Sequence, residues 1–382
     1  VGLVLSVATV GCVKTDDPSA NQSGMVTLQL SNGTLTTRAV GTNDNTNNED
    51  LIAEIQNGKI VLVEKAYAAQ IGEKKFETLQ EAIAVGGEVK LLADVSLDAP
   101  IVIEKGKTVV LDLGIYKISY TSTVMGEAMI TNRGTLTING EGTVDGVGNN
   151  IYSMAIWADG GDVVINGGTY KSGVDANGEP NAVIYARGNG KVFVNGGEFP
   201  NENGSKFVLN KKDSARATTE ISVAGGKFQN FDPANNLAEG EGTNFMKDGF
   251  TTVEQDGWFV VARGAANIND FTTAINEAAA VNVNAPINNG SNVININDND
   301  VVINMDGQKI TAGGQGTNNY AFNVYGSEVE INDANIDGAG FAVLDDSNVT
   351  INNGTIAAKP GKSGRNMFYV AGNSTVTINE GT

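Results

Sequence analysis

The side chains best suited to chemistry recur at one position of a repeated segment. Four consecutive segments, aligned on their first strand, each end on a charged residue. The segments are 130–133, 156–159, 184–187 and 208–211, and the charged residues are Arg133, Asp159, Arg187 and Lys211. Burying an unpaired charge in a dry interior is too costly, so we expect this column of charges to face solvent.

Two aromatic residues are predicted to lie beside the charges. Side chains alternate along a strand, so residues two positions before each charge share its face, whereas the isoleucines that open the segments point inward. These neighbours are Thr131, Trp157, Tyr185 and Leu209. Trp157 over Tyr185 would hold sugar rings by stacking, with Arg187 free for a carboxylate. The alternative is a charge-compensated ladder, in which the charges of the column pair with one another and the two aromatic side chains pack under the loop at 171–181.

Composition excludes several classes of chemistry. The chain has no His, which removes Ser-His-Asp hydrolysis and imidazole-ligated zinc. Its net charge of −19 would repel a phosphate backbone, so we expect no nucleic-acid partner. The single Cys cannot form an internal disulfide, so stability must come from burial and backbone pairing.

Clusters of acidic residues are weak metal candidates. Asp345 with Asp346, and the run 295–300, offer the hard oxygen ligands that Ca²⁺ prefers. Each is more simply a turn between strands, and 295–306 departs from an EF-hand loop because Asp300 stands where Gly is needed. We therefore assign no metal ligand, no cofactor and no catalytic residue.

The elements that must position these side chains form a repeat. Segments 163–170, 192–199 and 221–228 share one template, and their starts lie 29 residues apart. Short alternating strands closed by Gly and Asn at such a period predict the coils of a parallel β-helix. Equivalent residues then stack in columns, and we expect a side-chain amide ladder of Asn139, Asn166 and Asn195.

A second, larger repeat divides the chain. An offset of 192 residues maps 111–118 onto 303–310 without a gap, and it also maps Leu79, Ala82 and Ile83 onto Phe271, Ala274 and Ile275. These residues lie in two amphipathic segments, 76–84 and 271–279. We expect those two segments to be short helices that cap the first coil of each module. The predicted β-helix modules are 65–264, with its own terminal cap, and 265–382, which stops in mid-repeat.

The N-terminal region is predicted to be an export and membrane-anchoring signal. Residues 1–11 are an apolar run, as in the back half of a secretory signal whose start is missing, and they end at Cys12. The residues before Cys12 resemble a bacterial lipobox, and Lys14 followed by acidic residues is similar to the surface-export signal of Bacteroides-type lipoproteins. Cys12 is the predicted lipidation site, and 12–64 the lipid-anchored tether. Within the tether, alternation around Asn32-Gly33 predicts a β-hairpin and weakly resembles fimbrillins.

With these motifs, the chain from 65 to 382 resembles the pectate-lyase-like superfamily of right-handed parallel β-helices, in particular surface modules of gut bacteria. The resemblance implies an all-β solenoid of two tandem modules. It leaves function open, because the superfamily contains lyases, hydrolases, adhesins and plain stalks.

Three functions fit these observations. We expect an outer-membrane, cell-surface lipoprotein that acts as an adhesin or glycan-binding module and reaches the membrane through its lipid anchor only. Its predicted partner is a polysaccharide or host glycan, bound by Trp157, Tyr185, Arg133, Asp159, Arg187 and Lys211. The first alternative is a Ca²⁺-dependent polysaccharide lyase on uronate polymers, with an Arg or Lys of the column as base. The second is a stalk or fimbria-like element that binds no ligand.

Overall fold

The computed structural model describes the backbone of four strands between 24 and 64, and all of 65–120, 128–146, 154–174, 180–313, 320–338, 340–357 and 367–380. The chain divides into two compact units, Val1–Tyr67 and Ala68–Thr382. The lipidation candidate Cys12 lies outside the described residues.

The first unit contains two β-hairpins. Strand β1 (Gly24–Leu30) pairs antiparallel with β2 (Gly33–Val40), and Leu30 lies opposite Gly33, which confirms the predicted hairpin. Strands β3 (Leu51–Gln56) and β4 (Lys59–Glu64) form a second hairpin. This second hairpin lies within the predicted tether, and the intervening Asn57-Gly58 carries the same turn signal as Asn32-Gly33.

The second unit is a parallel β-solenoid of about nine turns, which confirms the predicted fold class. Its first part contains α1 (Leu79–Val85) and the strands β5 (Ala69–Ile71), β6 (Lys74–Phe76), β7 (Gly87–Leu91), β8 (Val95–Leu97), β9 (Ile101–Ile103), β10 (Thr108–Asp112), β11 (Lys117–Tyr120), β12 (Ala128–Asn132), β13 (Thr135–Asn139), β14 (Thr143–Asp145), β15 (Met154–Asp159), β16 (Asp162–Ile165), β17 (Thr169–Lys171), β18 (Ile184–Arg187), β19 (Lys191–Phe199), β20 (Leu209–Lys211) and β21 (Glu220–Gln229). A 3-10 helix, Asp213–Ala215, follows β20.

The remaining elements include the second helix, α2 (Ile268–Glu277). The strands are β22 (Phe250–Gln255), β23 (Trp258–Ala265), β24 (Ala280–Val283), β25 (Ile287–Asn288), β26 (Ile294–Asn297), β27 (Val301–Asn304), β28 (Ile310–Ala312), β29 (Phe322–Tyr325), β30 (Glu328–Asn332), β31 (Ala334–Gly338), β32 (Phe341–Leu344), β33 (Asn348–Ile351), β34 (Gly354–Ala357), β35 (Phe368–Val370) and β36 (Thr375–Ile378).

Successive coils stack strand on strand in register. In the largest sheet, Leu111 of β10 pairs with Ile138 of β13, then Ile165 of β16, then Val194 of β19. All four point inward and are buried. Aromatic side chains stack in the same way, because Phe199 lies between Tyr170 and Phe228 with ring centroids 5.4 and 4.4 Å away. Burial of these columns supplies the hydrophobic core of the solenoid.

The predicted asparagine ladder is present at the turn after these strands. The Asn166 amide donates to Asn139 Oδ1 at 2.8 Å, and Asn195 donates to Asn166 Oδ1 at 3.0 Å. The Gly pair that follows Asn166, like the one after Asn195, serves two purposes. A Cβ on Gly167 would lie 2.6 Å from the Gly140 carbonyl oxygen of the coil below, whereas Gly168 has a φ of +89°. The turn therefore needs glycine at both positions.

Both helices lie where the larger repeat placed them. A capping box between Thr78 and Glu81 begins α1, and the Asn267 side chain caps α2. Their buried faces are equivalent under the offset of 192, namely Leu79, Ala82 and Ile83 in α1 and Phe271, Ala274 and Ile275 in α2. Each helix packs at the start of a separate hydrophobic core, one running from Ala69 to Val261 and one from Ala265 to Ile351.

A hairpin joins the two cores. Strand β23 pairs antiparallel with β22 and with the end of β21, and then parallel with β24, so the largest sheet continues from the first core into the second. Among the described residues, no helix has the length and apolar character needed to cross a bilayer.

Candidate functional site

The column of charges lies on a five-stranded parallel sheet made of β9, β12, β15, β18 and β20. Trp157 pairs with Tyr185, and Asp159 pairs with Arg187. Along β15 the burial alternates: Ile156 and Ala158 are fully buried, whereas Trp157 and Asp159 are only partly buried. The predicted alternation is therefore confirmed, and the charges lie on the outer face.

The register predicted for the last segment is wrong by one residue. Ile184 pairs with Leu209, so Leu209 points inward and is fully buried, and Lys211 lies opposite the buried Ala186. Val208 and Leu209 are both apolar, so the sequence allows either to take the inward position. Backbone hydrogen bonds fix the register with Leu209 opposite Ile184, because the amides of Val183 and Ile184 both donate to the Val208 carbonyl.

This shift places Lys212, rather than Lys211, next to Arg187 in the column. The Lys212 amide donates to the Ala186 carbonyl at 2.9 Å, the bond expected of the following residue in a parallel ladder. At the other end the column begins with Glu104. Ile103 pairs with Asn132, so the residues that follow them, Glu104 and Arg133, lie side by side. The outward column therefore reads Glu104, Arg133, Asp159, Arg187 and Lys212.

Asp159 is the centre of an ion-pair network. Its Oδ1 accepts from Arg187 Nε at 2.8 Å, and its Oδ2 accepts from Arg133 Nε at 3.1 Å and from Arg187 Nη2 at 3.2 Å. Arg133 also approaches Glu104, with 3.8 Å between Nη1 and Oε2. Partial burial by itself raises the pKa of Asp159, but hydrogen bonds from Arg187 and Arg133 outweigh it and hold that pKa below 3.8.

The aromatic pair does not form the open platform that we predicted. The Trp157 and Tyr185 rings are tilted by 50°, with centroids 6.2 Å apart. The Arg187 guanidinium carbon lies 4.4 Å from the centroid of the Trp157 ring, so it covers one face of that ring. Since Arg187 also holds Asp159, it is not free to bind a carboxylate. Around Trp157, the charge-compensated ladder is the better description.

A groove opens beside Tyr185, where the ladder ends. It has a volume of about 770 Å³ and is bounded by β20, the 3-10 helix and the segment 237–240. Two apolar side chains in it are solvent-exposed, Phe207 at 41% and Leu237 at 57%. Lys211 and Lys212 also line it. The groove thus combines aromatic and aliphatic surface with cationic groups.

The acidic residues of the groove are already paired with Arg216. Its Nη2 donates to Asp213 Oδ1 at 2.9 Å, and its Nε contacts Glu239 Oε2. The other oxygen of Glu239 accepts from the Lys211 backbone amide at 2.6 Å. Burial raises the pKa of Tyr185, and the charges of Asp213 and Glu239 raise it further against the lowering effect of Arg187. Its hydroxyl therefore remains protonated and can donate a hydrogen bond.

Sequence reasoning missed the far wall of the groove and a second aromatic pair. Residues 237–240 belong to the cap of the first module, and no periodic signal links them to β18 or β20. In the second module, the sheet of β26, β29, β32 and β35 is the counterpart of the charge-bearing sheet of the first module. In each coil, its strand comes directly before a strand of the largest sheet. Tyr369 of β35 stacks with Tyr320, which lies just before β29, with ring centroids 6.3 Å apart. The offset of 192 relates Tyr320 to Ala128, which packs with Trp157 and Tyr185.

The acidic runs weighed as metal ligands lie in turns. Asp298, Asp345 and Asp346 have positive φ angles of 50°, 55° and 61°, and each follows directly or closely on the end of a strand. No group of three or more Cys, Asp or Glu side chains in the described parts of the chain is arranged to hold a metal ion.

No protein-family model, curated protein or solved structure matches this chain. Function must therefore be argued from the side chains of the solenoid.

Proposed function

We propose that this protein is a cell-surface lipoprotein of the pectate-lyase-like superfamily whose β-helix acts as an adhesin or glycan-binding module. Cys12 would carry the lipid that anchors it to the outer membrane of a Bacteroides-type bacterium. The observation that carries the binding function is the groove beside Tyr185, where Phe207 and Leu237 expose apolar surface next to lysines. Sugar rings present apolar faces to such side chains and hydroxyl groups to polar ones.

Three of the residues that the sequence predicts to bind the glycan have a supporting position in this proposal. Arg187 and Asp159 hold each other, and Arg187 lies against Trp157, so these three side chains stiffen the sheet that carries Tyr185. The ligand itself would contact Tyr185, Phe207 and Leu237. Tyr185 is suited to this, because it is held on a strand of the ladder and loses little side-chain freedom on binding.

A glycan array that includes uronic-acid polymers tests the proposal. We expect the wild-type chain to bind at least one glycan and Phe207→Ala to weaken that binding at least tenfold, because one wall of the groove is lost. The control is Ile115→Ala, which removes an even more exposed apolar side chain near the other end of the first module. Equal loss in both variants would mean that the groove is not the site.

The same samples separate the two alternatives. A polysaccharide lyase creates unsaturated products, so ultraviolet absorbance that grows with time and stops on Ca²⁺ chelation would replace the adhesin by an enzyme. A chain that binds none of the glycans would be a stalk or fimbria-like element.

A further inference from the structure

The charge column ends on cations that no acidic side chain neutralises. Its order is Glu104, Arg133, Asp159, Arg187 and Lys212, that is, two carboxylates against three cations. Both carboxylates contact arginines of the column, and all three bonds to Asp159 come from Arg133 and Arg187. Lys212 is left at the end of the ladder. No carboxylate among the described residues lies within ion-pair distance of its ammonium group.

A second cation lies next to it. The Lys211 ammonium group lies 5.8 Å from the centroid of the Phe245 ring, and it too has no acidic partner in the described part of the chain. Asp213 and Glu239 could have neutralised either lysine, but Arg216 holds both. Arg216 thereby keeps the two lysines of the groove unpaired.

We propose that this groove binds an anionic saccharide, whose carboxylate or sulfate group is held by Lys211 and Lys212 while its ring packs on Phe207 and Tyr185. This inference rests on the glycan-binding function proposed above and specifies the ligand class. A protein with a net charge of −19 repels polyanions over most of its surface. Two adjacent lysines without an acidic partner among the described residues, beside exposed apolar side chains, therefore offer a local site for an anionic group of a ligand.

Binding to two pairs of polymers tests the ligand class. Each pair shares one sugar backbone and only one member carries anionic groups: polygalacturonate against its methyl ester, and dextran sulfate against dextran. We expect the full chain to bind one or both anionic polymers, and to bind the neutral partner at least tenfold more weakly. The two anionic arms distinguish a carboxylate from a sulfate. Affinity should fall as salt is raised, because screening weakens contacts between exposed charges.

Charge-matched variants locate the site. Lys211→Gln with Lys212→Gln should weaken binding of the anionic polymer at least tenfold, since two charge-assisted contacts are removed. The control is Lys90→Gln with Lys105→Gln, which changes the net charge equally at exposed positions outside the groove and should leave affinity within twofold. A circular dichroism melt of each variant shows that the fold persists.

The outcomes separate the two proposals. If the neutral polymers bind as tightly as the anionic ones, or if the groove variant binds like the wild type, the anionic inference is wrong and glycan binding stands. If none of the four polymers binds while another glycan of the array does, the anionic inference is wrong and glycan binding stands. If no glycan of the array binds either, both are overturned.

Discussion

At the scale of single residues, Asp159 shows how a side chain suggested as a ligand contact can instead stabilise the fold. It contacts two arginines that belong to the coils below and above its own. The Arg187 side chain continues from this carboxylate to the Trp157 ring, so one ion pair also fixes an aromatic side chain. Removing the carboxylate would leave the Arg187 guanidinium without its acidic partner and Arg133 with only its 3.8 Å contact to Glu104.

We predict that Asp159→Asn lowers the free energy of unfolding by about 1–3 kcal/mol at neutral pH, because charged hydrogen bonds are lost. The folded-state pKa of Asp159 lies below its ordinary value of 3.8, so its stabilisation is present above that pH and is lost as pH falls through the lowered pKa. The gap between wild type and variant should therefore narrow in acid. Urea unfolding at several pH values measures it.

Asp162→Asn is the matched control. Asp162 begins the next strand and is exposed. Its replacement should change stability by less than about 0.5 kcal/mol. A gap for Asp159→Asn that stays constant down to the lowest pH would contradict the assigned ion pairs.

At the scale of elements, the turns are held by ladders that join one coil to the next. Asn166 donates to Asn139 and accepts from Asn195, so it takes part in two hydrogen bonds along the stack. The second module has its own ladder, in which Asn332 donates to Asn304 at 2.9 Å and Asn352 donates to Asn332 at 2.7 Å. Both ladders follow from the repeat, because stacked coils bring equivalent residues within hydrogen-bonding distance.

We predict that Asn166→Ala destabilises the first module by about 1–2 kcal/mol, since two side-chain hydrogen bonds are lost. Asn195→Ala at the end of the same ladder should cost about half as much, because it removes one of the two. Thermal unfolding followed by circular dichroism compares them. Equal costs for the two variants would show that the ladder contributes little to stability.

At the scale of the whole molecule, the two hydrophobic cores follow one another along a single axis of stacked strands. In such a solenoid each coil contacts only its neighbours, so stability is a sum of local terms and can differ between segments. Each core contains a phenylalanine between two aromatic rings. Phe199 lies between Tyr170 and Phe228, and Phe341 lies between Phe322 and Phe368.

We predict that Phe341→Ala and Phe199→Ala each cost about 3–5 kcal/mol, and that each cost stays within its own module. Hydrogen exchange should rise mainly in 280–351 for Phe341→Ala and mainly in 89–228 for Phe199→Ala. Each variant is the other's control. The same rise across both modules in each variant would mean that the solenoid unfolds as one cooperative unit.

The sequence by itself determined the coil period, the asparagine ladder, the glycine turns, the two capping helices and the outward face of Arg133, Asp159 and Arg187. Each depends on residues within one coil or on an identical position in the next coil, so periodicity is sufficient to find it.

Only the tertiary structure decided which ladder charges are paired and where the groove lies. The apolar pair Val208-Leu209 fits two registers, and backbone hydrogen bonds selected the one that puts Lys212 in the column. The groove also needs Leu237 and Glu239 from a cap that has no counterpart in the repeat. Pairing between a repeat and a non-repeating segment is set by packing in three dimensions, and local sequence patterns do not encode it.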